Sequence, residues 1–396
     1  YPADLAFFPR PPDRQLYEST ATLPCPSRAY SVIHGLTRDC VRMNALIEEG
    51  SSGTERWPAE WEPQAAIWFA WPVREDLWSG VIEAVREQLV QLYQLAAQFQ
   101  AVHVLCPREL QSDCRARLQS SEFAENIHFF DYQTDDVWCR DFMPIFLQHR
   151  SASKLRLCDW RFNAWGQKFE AYHRDDACGQ WLAQHLKLER SGSSLILEGG
   201  AVESNGAGVV LSTEPVLYNA NRNAGWTREA IDQALLQSLS SQKLYSLPQG
   251  LYNDDTDGHV DNVARFCAED RLLLAQDSNP HGRNHQRLQE NFERAADFKT
   301  LDGRLIERLS LPLPDPIFHQ GQQLPASYLN FIFLNGAVVV PTFSQADNDQ
   351  AALARFQTYF PDRAVHGFDC SLLLREGGAL HCLSQHQPAF SVEHIG

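Results

Sequence analysis

The chain repeats a helix, a strand and a hairpin-like pair of strands every 55 to 65 residues, and this period limits the folds open to it. Apolar residues spaced by three and four predict helices over residues 79–98, 174–187, 226–240, 282–297 and 347–360. Short apolar strands follow them: AVHVLC, LKLER, KLYSLP, RLIERLSLP and AVHGFD. Most lead into a hairpin-like stretch, namely SLILEGGAVESNGAGVVLST, GHVDNVARFCAEDRLLLAQ or YLNFIFLNGAVVVPTF, and the SNGAG and LNG turns carry the Asn-Gly pair that favours tight turns. Five copies predict an α/β fold, a five-bladed pseudo-symmetric β/α-propeller. Its small mixed sheets would protect their edges and gather matching strand ends near a central channel.

Four motifs keep step with the period. WCRD ends at Asp141, LEGG holds Glu198, TDGHVDN holds His259 and GGALHCLSQHQP holds Cys382. The separations are 57, 61 and 123 residues, the last about two periods. One module delivering one group to a shared axial site explains this spacing.

Each group also has a plainer reading. A thiolate is the strongest side-chain nucleophile if nearby positive charge lowers its pKa from about 8.5, yet most core cysteines are inert. The flanking Gly377 and Gly378 and the polar Ser384, Gln385 and His386 set Cys382 at a strand end beside a site. His259 lies among carboxylates that raise an imidazole's pKa and suit it to acid–base work. It could equally bind a metal or cap a loop, although no further ligands stand at workable spacing. Asp141 and Glu198 both follow apolar runs and are expected where strands end. Pairing with Arg140 or Arg265 is the alternative, but an acid among apolar residues and glycines needs a strong reason to be buried.

With 34 Lys and Arg against 50 Asp and Glu, the net charge is −16, and no basic block follows a phosphate backbone. Nucleic acid is excluded as a partner, and no apolar stretch approaches the roughly 20 residues of a membrane helix. Ten cysteines without CxxC pairs read as buried, reduced thiols, and no recognisable signal segment is present, so a cytoplasmic location is expected. Residues 1–56, broken by PRPPDR and LPCPSR, read as a loosely ordered extension, and residues 57–396 as one catalytic domain. Oligomeric state is left open, a homo-oligomer included.

One cysteine, one histidine and several inward carboxylates suit attack on the carbon of a planar cation. A guanidinium presents five donors in a fixed fork that carboxylates grip bidentately. Its charge would stabilise the thiolate, and the histidine would protonate departing ammonia and then activate water.

In order, WCRD, LEGG, LYNANRN, DDTDGHVDNVARF, LPASYLNF, NGAVVVPTF and GGALHCLSQHQP resemble the agmatine deiminase and bacterial-type peptidylarginine deiminase family, from about Trp57 to Pro388. The resemblance implies the five-bladed pentein fold, with Cys382 as nucleophile and His259 as general acid and base. It implies Asp141, Glu198 and Asp261 as guanidinium-binding carboxylates, Trp138 lining the substrate channel, an S-alkylthiouronium intermediate and no metal or organic cofactor. Phe142-Met143 and Gln385-His386-Gln387 depart from the family pattern, and losing a glycine before Pro144 removes access to positive φ.

Agmatine carries a second cation and needs a further acid. Asp254, Asp255 and Asp257 are candidates, and Asp255 is the position the resemblance favours. The expected reaction is hydrolysis of agmatine to N-carbamoylputrescine and ammonia. The alternatives are deimination of peptidylarginine or another guanidine, and a catalytically silent binding propeller. The resting protonation of Cys382 and His259 stays open between thiol with neutral imidazole and thiolate with imidazolium.

Overall fold

A computed structural model describes residues 55–119, 121–150 and 154–390. The expected extension over residues 1–56 falls outside the described residues except for Glu55–Arg56, which form a short strand against Ile145–His149.

The fold is mixed α/β, and its repeat is plain in the strand pairing. Ile145–His149 pairs antiparallel with Leu155–Arg161, which pairs in parallel with Glu189–Ile196. Val202–Ser204, Val209–Thr213 and Lys243–Leu247 repeat that order, as do Ala264–Ala268, Arg271–Gln276 and Glu307–Pro312, and then Ile332–Leu334, Ala337–Thr342 and Ala364–Asp369. A parallel pair needs a crossover, and a helix supplies each one: His173–Leu186, Arg228–Ser238, His285–Arg294 and Ala346–Tyr359. In a further sheet the C-terminal strand Gln385–Pro388 pairs antiparallel with Gln64–Ala70, which pairs in parallel with Ala101–Leu105 across helix Ile82–Ala97. The C-terminal strand therefore shares a sheet with Gln64–Ala70, near the start of the described chain.

All five expected helices form, with ends moved by a few residues. Sequence periodicity does not reveal helix Arg108–Leu118, because only Cys114 and Leu118 of it are buried. Nor does it reveal strand Ile127–Phe130 or the two-residue hairpin strands Phe318–His319 and Gln322–Gln323.

A correction concerns where the polar motifs sit. The strand before Glu198 ends at Ile196, and the strand before Asp141 ends at Phe130. Asp141 and Cys382 lie inside single helical turns, Cys139–Phe142 and Leu380–Leu383, while Glu198 and His259 cap the one-turn segments Gly199–Ala201 and Val260–Asn262. Each turn leads into a strand, so Asp141, His259 and Cys382 stand at strand beginnings, whereas Glu198 lies just past the end of Glu189–Ile196, as expected. Glycine makes this possible at LEGG. A Cβ on Gly199 would lie 2.2 Å from the Arg140 carbonyl oxygen, so the tight turn that ends the apolar run early admits no side chain there.

The eight cysteines within the described residues are all free thiols. No helix among those residues is long and apolar enough to cross a membrane. Phe331 is fully buried, with its ring centroid 5.0 Å from that of Phe333 and 4.9 Å from that of Phe356, and Arg265 lies over its face. Phe331→Ala is expected to cost about 3–5 kcal/mol of stability, read as a lowered urea midpoint. A loss below about 1 kcal/mol would contradict this packing.

Candidate active site

Gly200 marks the centre of the site. A Cβ built there would lie 2.6 Å from His259 Nδ1, 2.7 Å from Asp141 Oδ1 and 3.1 Å from Asp261 Oδ2, so three groups from two modules meet against the bare backbone of a third. The Gly200 amide donates to Asp141 Oδ1 at 3.2 Å, and Cys382 Sγ lies 3.6 Å from Asp261 Oδ2. Two buried atoms in this cluster, His259 Nδ1 and Asp261 Oδ1, have no hydrogen-bond partner. Buried polar atoms are normally satisfied, so each calls for a role.

A cavity open to solvent reaches this cluster. Trp78, Trp138, Trp165 and Phe169 form its apolar walls, Asp136, Asp141, Asp254, Asp255 and Glu376 its acidic lining, and Cys382 also faces it. Trp138 thus lies where a channel-lining residue was expected, and Gly378 lets it in, because a Cβ there would come within 2.4 Å of the indole.

Of the expected residues, Asp141, Trp138, Asp254, Asp255 and Cys382 line this cavity, whereas Glu198, Asp257, His259 and Asp261 do not, and His259 and Asp261 are fully buried. Glu198, expected to grip a guanidinium, is fully buried, and both its oxygens accept from Arg222 Nε, at 3.0 and 2.9 Å. Its Oε2 lies 3.4 Å from His259 Nε2, so it orients the histidine instead of facing the cavity. Asp257 is taken up by Arg222 at 2.6 Å, Lys168 at 2.8 Å and Asn221 at 2.9 Å, which removes it as a candidate for a second cation. Asp254 accepts from Thr256 and Asn262, whereas Asp255 is exposed at the cavity. Neither Asp141 nor Glu198 pairs with Arg140 or Arg265. Those arginines bond Glu60, at 2.8 and 2.7 Å, and Arg265 also bonds Glu203 at 2.9 Å.

The loop departure at Phe142-Met143 is harmless to the backbone. Met143 has φ −78° and ψ 148°, an ordinary extended conformation, and Phe142 packs toward Phe162. No positive φ is required there, so the missing glycine leaves Asp141 correctly held.

Sequence reasoning missed three residues. Asn330 stands in the module that the 123-residue gap skips, in the turn before Ile332–Leu334. Its Nδ2 donates to Cys382 Sγ at 3.1 Å and to Asn262 Oδ1 at 3.0 Å, and its Oδ1 accepts from the Cys382 amide at 3.2 Å. Its place in LPASYLNF, between His259 and Cys382, was the available signal. Arg222, in LYNANRN, pins Glu198. Trp165 donates from Nε1 to Asp141 Oδ2 at 2.9 Å, and does so from a left-handed turn: Ala164, Trp165, Gly166 and Gln167 have φ of 55°, 54°, 90° and 62°. Such a conformation costs roughly 1–2 kcal/mol for each non-glycine residue. Asn163 holds the turn, accepting from Gly166 at 2.8 Å on its side chain and from Gln167 at 2.7 Å on its carbonyl.

Electrostatics set the resting state. Burial lifts the Asp141 carboxyl to about 6, with His259 opposing. Burial pushes His259 down, but Asp141 and Glu198 more than reverse this and carry it to about 9. Burial raises Glu198, yet Arg222 and His259 hold it below the usual carboxylate range. The Cys382 thiol is driven well above its ordinary range by burial, then by Asp261 and Asp141. At neutral pH the pair therefore rests as thiol and imidazolium, which is neither of the two forms expected from the sequence.

Glu60, Glu203 and His381 each bring a ligand atom within reach of a common metal position. Two guanidiniums already bond these carboxylates, so a metal would add a third cation against Arg140 and Arg265. The donor set therefore does not fit a metal.

The sequence matches the Porphyromonas-type peptidyl-arginine deiminase family over residues 56–388. It is 32% identical over 355 residues to an agmatine deiminase of Ectopseudomonas mendocina, covering 84% of this chain and 95% of that relative. The structure is similar to the agmatine deiminase of Enterococcus faecalis, with a TM-score of 0.80 at 28% identity, covering 85% of this chain and 97% of the other. It is also similar to a putative arginine deiminase of Porphyromonas gingivalis, with a TM-score of 0.78 at 31% identity over 84% and 98% of the two chains.

If the carboxylates suppress the thiolate, removing one charge will release it. At pH 7, Asp141→Asn is expected to be alkylated by iodoacetamide at Cys382 severalfold faster than the unmodified protein, scored on the Cys382 peptide by mass spectrometry. An unchanged or slower rate would contradict the assigned field.

Proposed function

We propose that this chain, which belongs to the Porphyromonas-type peptidyl-arginine deiminase family, hydrolyses agmatine to N-carbamoylputrescine and ammonia. The observation that carries the reading is the meeting of Asp141, Asp261 and His259 around Gly200 beside Cys382. Asp141 and the unpartnered oxygen of Asp261 would receive the guanidinium N–H groups. Asp255, at the exposed end of the cavity, would take the distal ammonium, and Trp138 would flank the chain between. The names of the curated relatives support agmatine over a peptide, and so does an acidic cavity suited to a doubly charged substrate.

The chemistry follows from charge. A guanidinium held by Asp141 and Asp261 cancels the field that keeps the thiol protonated, and the thiol proton passes to solvent. The Cys382 thiolate then adds to the guanidinium carbon, with Asn330 Nδ2 donating to the sulfur. His259 gives its proton to the departing nitrogen, ammonia leaves, and an S-alkylthiouronium remains. Neutral His259 takes a proton from water as it attacks that carbon, and the carbon–sulfur bond breaks to release the urea product. No step calls on a metal or organic cofactor.

We read the five repeated sheets as five blades of a β/α-propeller, with residues 57–396 as one catalytic domain and residues 1–56 as an appendage outside the chemistry. The eight free thiols support a reducing, cytoplasmic setting.

The test is ammonia release from a panel of agmatine, arginine and arginine-containing peptides. Agmatine is expected to be turned over best, and Cys382→Ala to lose at least about 10³-fold in kcat. Citrullination of peptides without agmatine turnover would replace the substrate, and inactivity toward every guanidine would favour a binding protein.

The pH dependence has a definite sign. Asp141 must be ionised to hold the cation and His259 must be protonated to release ammonia. The free-enzyme profile, kcat/KM, is therefore expected to fall as pH drops through about 6 and to fall again as pH rises through about 9. A profile that keeps rising above pH 9 would contradict the imidazolium assignment.

A further inference from the structure

His381, immediately before the nucleophile, is fully buried between two carboxylates. Its Nδ1 lies 2.8 Å from Asp261 Oδ2, and its Nε2 lies 2.9 Å from Glu60 Oε1. Glu60 can only accept, because Arg140 Nη1 and Arg265 Nη2 bond its two oxygens at 2.8 and 2.7 Å. Nε2 must therefore carry a hydrogen.

The other contact needs a hydrogen too. A neutral imidazole has one N–H, so a ring that donates to Glu60 would turn a lone pair toward Asp261 at 2.8 Å. Two acceptors at that distance repel, unless the acid holds the proton. Asp261 is held below the usual carboxylate range, with His381 the first group to oppose its burial, which places the proton on the ring. Burial and the neighbouring Arg140 and Arg265 pull the imidazole's pKa down. Geometry outweighs that pull, because losing the proton would leave the Asp261 contact unbonded on both sides. The titratable and charged groups around the ring are Glu60, Glu203, Asp261, Arg140 and Arg265, with the Cys382 thiol on the same turn and His386 facing the same Glu60 oxygen.

We propose that His381 is a positioning residue: as an imidazolium it donates to Glu60 and Asp261 together. It thereby fixes Asp261 as a carboxylate whose second oxygen, Oδ1, is left to receive the substrate. That oxygen is the buried acceptor without a partner. Glu60, Arg140 and Arg265 serve as the anchor that sets the ring's angle. The functional part of this inference rests on the guanidine-deiminase reading, whereas the protonation state does not.

Two substitutions separate the two ends of the ring. Asn places a donor near the position of Nδ1, and Gln places one near Nε2. His381→Gln is expected to raise KM for agmatine at least tenfold and to move the acidic limb of kcat/KM upward by about one pH unit, because Asp261 loses its donor. His381→Asn is expected to keep kcat/KM at least tenfold above the Gln variant. Equal losses in both, with an unmoved pH profile and parallel falls in melting temperature, would reduce His381 to a structural role and overturn the proposal. Histidine-selective 15N NMR of the unmodified protein needs no folded variant and no substrate. Two protonated ring nitrogens on His381 at pH 7 are expected, and a single protonated nitrogen would overturn the assignment whatever the enzyme's substrate proves to be.

Discussion

Everything at the site depends on three carboxylates, Asp141, Glu198 and Asp261, being buried within reach of one another. Burying an ion costs several kcal/mol even after relaxation, so the fold must supply countercharge at fixed positions. Arg222 does this for Glu198, His259 lies between Glu198 and Asp141, and His381 bonds Asp261. Within the cluster only Asp141 and the free oxygen of Asp261 remain short of positive charge. A site so arranged has its strongest interaction with a planar cation. On the proposed reading, the same deficit keeps the Cys382 thiol protonated until that cation arrives, so binding and activation become one electrostatic event.

The scaffold around the cluster serves to hold it still. Arg140 and Arg265 bond Glu60, and the Arg140 carbonyl packs so close to Gly199 that a methyl group there would collide. The left-handed turn at Ala164–Gln167 spends backbone strain to aim one indole N–H at Asp141. Such strain persists only where surrounding bonds determine the conformation, and Asn163 and Asn221 supply them. Even the hydrophobic packing feeds the site, since Phe331 supports the guanidinium of Arg265 and Asn330 lies next to it in sequence.

Much of this was legible in the sequence because a repeat converts spacing into position. The intervals between Asp141, Glu198, His259 and Cys382 are enough to place the four groups together, and the helices are readable from apolar period. What stayed hidden depends on contacts that no local pattern encodes. Glu198 and Asp141 look alike in sequence, each an acid after an apolar run, yet Arg222 claims one and leaves the other for the cavity. Asp257 looked as available as Asp255 until Lys168, Asn221 and Arg222 closed on it. Trp165 gave no sign of its left-handed backbone beyond the neighbouring asparagine and glycine. Helix Arg108–Leu118 escaped because a helix that buries two side chains leaves almost no periodic trace.

The central claim is that Cys382 attacks the carbon of a guanidinium held by Asp141 and Asp261. Rapid acid quench of the protein during turnover of agmatine, followed by peptide mass spectrometry, tests it most directly. The account predicts an adduct on Cys382 with the mass of agmatine less ammonia, absent from Cys382→Ala. Ammonia released steadily with no adduct on Cys382, or with an adduct on another residue, would contradict it.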